Sequence, residues 1–361
     1  MKPKRSRTPF IEPMEARSVD TIPRGKQWQY EPKWDGFRCI LVCDRETVAL
    51  WSKSGEDLTR YFPELIDAAR RIKADRFILD GEIVVPAGKT FSFDELLQRI
   101  HPAPSRVAKL ARETPAVFIA FDLIATGATD LTGQDLAARR SALERFAGLF
   151  KDNRRFLLSR PTKSFATAER WLKIAGGGFD GIIAKRLDLP YASGARDAMQ
   201  KIKRYRSADC VIGGFRYAEN RLNGHKVIGS MLLGLYDDEG LLHHVGFTSA
   251  IKSADKAALT EKLIKDIRER SFTGNAPGGP SRWSTRRSSE WVPVKPRYVI
   301  EVSYDHFTGD RFRHGTSILR WRPDKEPKQC TFDQLKQKIV NPTSLLRRTK
   351  SPTSVQVQFA T

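Results

Sequence analysis

The sequence predicts an α+β chain of two domains: a mixed domain of antiparallel strands and helices, then a small closed β-barrel. Three observations carry this. Up to about residue 206, short runs with strand alternation take turns with runs of helical spacing. Beyond residue 207, five strand candidates follow one another with a single helical run between the third and fourth. With 361 residues, 40% hydrophobic and 29% charged, the chain is long enough for two cores and globular in composition.

Residues 1–25 are rich in Pro and Arg and are expected to form an extended N-terminal segment. Residues 37–44 and 47–51 read as two paired strands, and 63–72 as a helix with Pro63 in its first turn, where its missing N–H costs nothing. A strand at 77–85, a short helix at 93–100 and an apolar strand at 117–124 follow. Helical spacing covers 134–150 and 164–175, the second ended by Gly176-Gly177-Gly178. Strands at 180–185 and 199–203 complete an α+β domain over 26–206. In residues 207–340 the strand candidates are 209–218, 230–236, 242–248, 298–306 and 318–322, with a helix at 254–270. Asp237-Asp238-Glu239-Gly240 supplies a hairpin turn. Five strands with one helix after the third suit an OB-fold barrel. Residues 273–290 form a Gly/Pro/Ser-rich loop carrying Arg282, Arg286 and Arg287, and 341–361 a basic tail expected to be disordered.

The net charge of +21 and a pI near 10.0 call for a polyanionic partner, most simply a nucleic-acid backbone. An acidic membrane surface or a solvated basic face would account for the charge less directly. Cys39, Cys43, Cys210 and Cys330 include no Cys-x-x-Cys pair, which argues against zinc knuckles and a disulfide framework and for a reducing, cytoplasmic setting. No apolar run approaches eighteen residues, so no membrane span is expected.

Lys33, in Glu31-Pro32-Lys33-Trp34-Asp35-Gly36-Phe37-Arg38, is a candidate covalent nucleophile, since a neutral amine held close attacks phosphorus or a carbonyl. A Lys-x-Asp-Gly string is also an ordinary surface turn. Glu82, ending an apolar strand in Asp80-Gly81-Glu82, offers a carboxylate for ribose hydroxyls or a metal, or merely a solvated strand end. Phe121 is either core or a face on which a base stacks. Asp180 and Lys185 bracket the apolar Gly181-Ile182-Ile183-Ala184. Lys201 and Lys203 alternate with apolar neighbours and so project from one face of a strand, where their repulsion calls for an anion. Arg320-Trp321-Arg322-Pro323-Asp324-Lys325 is a dense cluster suited to gripping phosphates.

Together, Lys33-Trp34-Asp35-Gly36, Asp80-Gly81-Glu82, Phe121-Asp122, residues 180–185, Lys201-Ile202-Lys203 and Arg322-Pro323-Asp324-Lys325 resemble the motif series of the covalent nucleotidyltransferases. Within these the chain looks like the ATP-dependent DNA ligases, and residues 181–196 and 319–325 are especially similar to the small stand-alone bacterial C type. The resemblance spans roughly residues 10 to 340, and it implies an adenylation domain followed by an OB domain.

It implies that Lys33 attacks the α-phosphate of ATP, that AMP passes to the 5′-phosphate of a nick, and that the 3′-hydroxyl then seals the strand. By the same resemblance Glu31 meets the adenine edge, Glu82 the ribose and Phe121 the base face, while Arg38 and Asp35 lie beside the sugar. Lys53, Lys185, Lys201 and Lys203 accompany the nucleotide, Asp180 and Glu82 the metal, and Arg322, Asp324 and Lys325 the pyrophosphate. The implied cofactors are ATP and Mg²⁺ or Mn²⁺, and the implied partner is nicked double-stranded DNA, bound by a monomer.

Three positions depart from the pattern. Lys53 stands where Arg is usual, Asp180 where Glu is commoner, and Met199-Gln200 where an aromatic residue often precedes the paired lysines. An RNA ligase or a capping-type nucleotidyltransferase shares the lysine chemistry, but residues 180–196 match DNA ligases more closely. A scaffold that only binds nucleic acid would be expected to lack a motif residue, and none is missing.

Overall fold

A computed structural model describes residues 10–150, 153–278, 290–336 and 341–347. These fall into two compact units, one running to Arg204 and including residues 341–347, the other covering residues from Tyr205 to 336. Arg282, Arg286 and Arg287 of the predicted basic loop lie outside the described residues, as do 1–9 and 348–361.

Two sheets build the first unit. Strands β1 (Trp28–Trp34), β2 (Phe37–Asp44), β3 (Thr47–Ser52), β4 (Arg76–Val84), β5 (Val117–Thr126), β6 (Phe156–Ser159), β7 (Phe179–Arg186) and β8 (Met199–Lys203) are its main members. The larger sheet runs β6-β5-β4-β2-β3, and the smaller runs β8-β7-β1. In β5 every residue from Val117 to Ala125 is buried, as a strand covered on both faces requires, which explains an apolar sequence broken only by Asp122, paired there with Arg139. Helices α1 (Pro63–Arg70), α2 (Phe93–Gln98), α3 (Pro104–Glu113), α4 (Leu136–Phe146) and α5 (Phe165–Ile174) cover the sheets. Pro63 opens α1, and Leu65, Ile66, Ala68 and Ala69 turn inward; burial of Leu65 alone is worth about 2 kcal/mol. One core joins α1 and α4 to the large sheet through Phe62, Phe77, Phe118 and Phe146, and another joins Trp34, Ile119 and Ile182 to Trp171 of α5.

Three elements of this unit escaped the sequence reading: α3, β6 and β1. Pro32 weakens the strand signal of β1, although β1 is an edge strand that tolerates it, so Lys33 stands in a strand and not in a turn. Helix α3 buries only Val107, so its polar sequence carries no apolar stripe, and β6 has just four residues. The described residues nearest either terminus are also better integrated than expected. Arg17–Ser18 adds a short parallel strand beside β8, and Met14 is buried. The disorder expected from residue 341 is corrected over 341–347: Leu346–Arg347 pairs antiparallel with β6, and Leu345 joins the core beside Trp28 and Trp171. Two adjacent leucines in a polar stretch supply the apolar surface that holds it down.

The second unit contains β9 (Arg206–Tyr217), β10 (Ile228–Tyr236), β11 (Leu242–Thr248), α6 (Lys256–Ile264), β12 (Val299–Tyr304) and β13 (Ser317–Trp321), in sheet order β11-β10-β9-β12-β13. A bridge between Thr248 and Thr316 brings the outer strands together and closes the barrel. This is the OB arrangement, with its helix between the third and fourth strands. Strand β9 bends through a bulge near Gly213, where a Cβ would come within 2.5 Å of the Phe272 ring. Among the described residues no helix is long and apolar enough to cross a membrane.

Candidate active site

The small sheet of the first unit sets out the lysines in rows. Strand β7 pairs with β1 on one side and β8 on the other, so Lys33 and Lys203 both stand opposite Gly181. One row on, Glu31 and Lys201 flank Ile183, and next Gln29 and Met199 flank Lys185. Side chains two apart share a face, so Lys33, Lys185, Lys201 and Lys203 converge. Gly181 is needed at the centre because a Cβ there would lie 2.0 Å from the carbonyl oxygen of Ile202.

Strict alternation would point Asp180 away from this face. A register shift between Phe179 and Gly181 makes Asp180 the extra residue of a β-bulge and turns it toward the lysines. Its Oδ2 accepts from Lys33 Nζ at 2.9 Å and lies 3.5 Å from Lys203 Nζ, while Oδ1 is in ion-pair contact with the Lys33 amine at 2.8 Å. Lys201 is held below the usual lysine range, first by burial and then by Lys33, Lys53 and Lys203.

A cavity of about 250 Å³ opens against this face and is lined by Glu31, Lys33, Arg38, Lys53, Glu82, Phe121, Lys185 and Lys201. Eight sequence-selected residues therefore meet in one place. Glu31 and Lys185 form a buried ion pair at 2.9 Å, with Gln29 Nε2 donating to Glu31 from 3.1 Å. Phe121 is buried with cations over its ring, Lys185 Nζ at 4.5 Å and the Arg38 guanidinium at 4.6 Å from the centroid. Arg38 grips Asp80 bidentately at 2.5 and 2.6 Å, and Tyr191 Oη donates to the same carboxylate at 2.7 Å. Glu82 accepts from the Gly36 amide at 3.2 Å, and burial pushes its carboxyl up to about 8 against the pull of Arg38 and Lys33.

Asp35 does not line the cavity; it follows β1 directly, and its amide donates to Gly178 O. Sequence reasoning missed Met14 and Glu15, which also line the cavity. Glu15 holds Lys53 and Arg196, each at 2.7 Å. A lone Glu in a Pro/Arg-rich segment gave no signal. Arg322, Asp324 and Lys325 lie in the second unit, where Arg322 Nη1 and Lys325 Nζ both reach Asp209 and Arg322 Nη2 reaches Asp324.

A convergent lysine face over a nucleotide-sized recess, in an α+β unit followed by an OB barrel, defines the nucleotidyltransferase class of ligase architecture. Residues 13–203 match the ATP dependent DNA ligase domain, and residues 224–325 match the ATP dependent DNA ligase C terminal region. The chain belongs to the ATP-dependent DNA ligase family. It is 44% identical to DNA ligase C2 of Mycolicibacterium smegmatis, over 91% of this chain and 94% of that protein. It is 40% identical to DNA ligase C of Mycobacterium tuberculosis, over 92% and 95%. A solved Lig E DNA ligase, 16% identical, shares the fold with a TM-score of 0.52 over 87% of this chain and all of that one.

Proposed function

We propose that this protein is an ATP-dependent DNA ligase that seals nicks between 3′-hydroxyl and 5′-phosphate ends through a lysyl-AMP on Lys33. The observation that carries it is the meeting of Lys33 with Asp180, Lys201 and Lys203 on one face of the small sheet, where Lys33 and Lys201 line the cavity. In the first step Lys33 Nζ attacks the α-phosphorus of ATP, the N–P bond forms, and the bond to pyrophosphate breaks. Asp180, in contact with the amine, is placed to take its proton. Lys201 and Lys203 offset the charge on the phosphates.

A 5′-phosphate oxygen of the nick then attacks the same phosphorus and frees Lys33. Finally the 3′-oxygen attacks the 5′-phosphorus, and AMP leaves with the bonding pair. Glu31 with Lys185 takes the adenine edge, Phe121 the base face, and Glu82 with Arg38 the ribose; Asp35 acts beside the sugar. Lys53 serves phosphate contacts, and Arg322, Asp324 and Lys325 serve the pyrophosphate.

The described residues include no group of three His, Cys, Asp or Glu side chains that would cage a metal. They suit instead a Mg²⁺ or Mn²⁺ ion that arrives on the nucleotide, since such ions are held by one or two carboxylates plus phosphate oxygens and water. Asp180 would hold it; Glu82, with its carboxyl near 8, is better suited to the sugar. The ion would supply charge neutralisation at the phosphates.

The net charge of +21 supports binding of duplex DNA, with the protein acting as a monomer in this proposal, and four buried free cysteines agree with a cytoplasmic setting. The test is a gel assay on singly nicked duplexes with DNA or RNA flanking the nick, and ATP or GTP as donor. Sealing of nicked DNA with ATP is expected. Sealing only of RNA, or only with GTP, would instead favour an RNA ligase or capping-type enzyme.

A further inference from the structure

Asp209 lies outside every motif that the sequence singled out, yet it organises the basic cluster of the second unit. On β9, its carboxylate accepts from Arg322 Nη1 at 2.8 and 2.9 Å and from Lys325 Nζ at 2.7 Å. Arg322 also gives Nε and Nη2 to Asp324, at 3.0 and 2.9 Å, so every guanidinium nitrogen is held by a carboxylate. The backbone of Asp209 is fixed from the other side: its amide donates to Gln334 Oε1 at 2.8 Å, and Gln334 Nε2 donates to its carbonyl at 2.9 Å. The basic turn is anchored too, by Arg322 N donating to Val299 O at 2.9 Å and by Lys262 over the neighbouring Trp321 ring at 4.1 Å.

The two carboxylates are not equivalent. Asp324 is 62% exposed, so its pair with Arg322 is a solvated one of little worth, whereas the side chain of Asp209 is 12% exposed. Arg322, with all three nitrogens committed, serves the pyrophosphate indirectly, as a strut for the cluster. Lys325 carries three N–H groups and one carboxylate partner, which leaves capacity for a phosphate oxygen.

We propose that Asp209 is a positioning residue for enzyme adenylylation, locking Arg322 in place and setting where the Lys325 amine is presented to the pyrophosphate. This rests on the ligase reading above. A carboxylate in an otherwise apolar strand, Ala208-Asp209-Cys210-Val211, was the signal available in the sequence.

The test is Asp209→Asn, which keeps shape and removes charge, assayed separately for single-turnover adenylylation with ATP and for sealing of a pre-adenylylated nick, which releases no pyrophosphate. Adenylylation is expected to fall by about tenfold or more, with sealing within about twofold of the parent and Asp209→Glu recovering part of the loss. Lys325→Ala should fall at least as far as Asp209→Asn. Equal losses in both steps would mark a structural role and overturn the proposal, and so would adenylylation that is unchanged or faster. If the parent protein forms no adenylate at all, the ligase reading itself falls and this proposal with it.

Discussion

The amine of Lys33 touches both carboxylate oxygens of Asp180, at 2.8 and 2.9 Å, because a bulge in β7 turns Asp180 out of the regular alternation. In the proposed first step this contact would take a proton from the nucleophile. Asp180→Asn, which keeps the size and loses the basicity, is expected to lower the single-turnover adenylylation rate by about 10- to 100-fold. Quench-flow with labelled ATP measures it, and a rate within twofold of the parent would remove Asp180 from the proton path.

Glu31 and Lys185 are 2% and 4% exposed at their side chains and form one ion pair. Truncating one partner strands the other charge in a dry site. Lys185→Met should therefore destabilise the protein by about 3 kcal/mol, and the double change Glu31→Gln with Lys185→Met should recover much of that. Urea unfolding of the parent, the single variants and the pair would show it; additive losses would contradict the pairing.

Glu82 gives a pH prediction. Its folded-state carboxyl lies near 8, above the unfolded value near 4.5, so between these values the folded chain binds more protons than the unfolded one. Stability from this group is complete below pH 4.5 and is lost as pH rises through 8. Relative to Glu82→Gln, the parent should lose about 2 kcal/mol between pH 5 and 8, a figure damped because the side chain is partly open to the cavity. Parallel pH-stability curves for the two proteins would refute it.

Leu345 anchors the returning C-terminal residues in the core with Trp28 and Trp171. Leu345→Ala should cost about 2–4 kcal/mol, whereas a free tail would make the change neutral. Thermal or urea unfolding decides between them.

Much of this was legible in the sequence. Strong alternation or helical spacing located β2, β3, α1, α5 and the five barrel strands, an apolar run located β5, and the same-face rule placed Lys201 and Lys203 together. What was not legible came from tertiary contacts without local periodicity. The bulge at Asp180 is visible only in the pairing with β1, and Glu15 and Asp209 are single acids whose cations lie 38 and 181, and 113 and 116, residues away. Leu345 and Leu346 were too few to outweigh the polarity around them, and the barrel helix was drawn to 270 because residues 265–270 keep helix-forming composition beyond the end of α6 at Ile264.

The central claim is that Lys33 carries the nucleotide. Purified protein incubated with ATP labelled at the α-phosphate and a divalent cation, then resolved on a denaturing gel, tests it directly. The expected result is a labelled protein band that is chased off by pyrophosphate or by nicked DNA and is missing from Lys33→Ala. Absence of the band in the parent, or its survival in Lys33→Ala, would contradict the assignment.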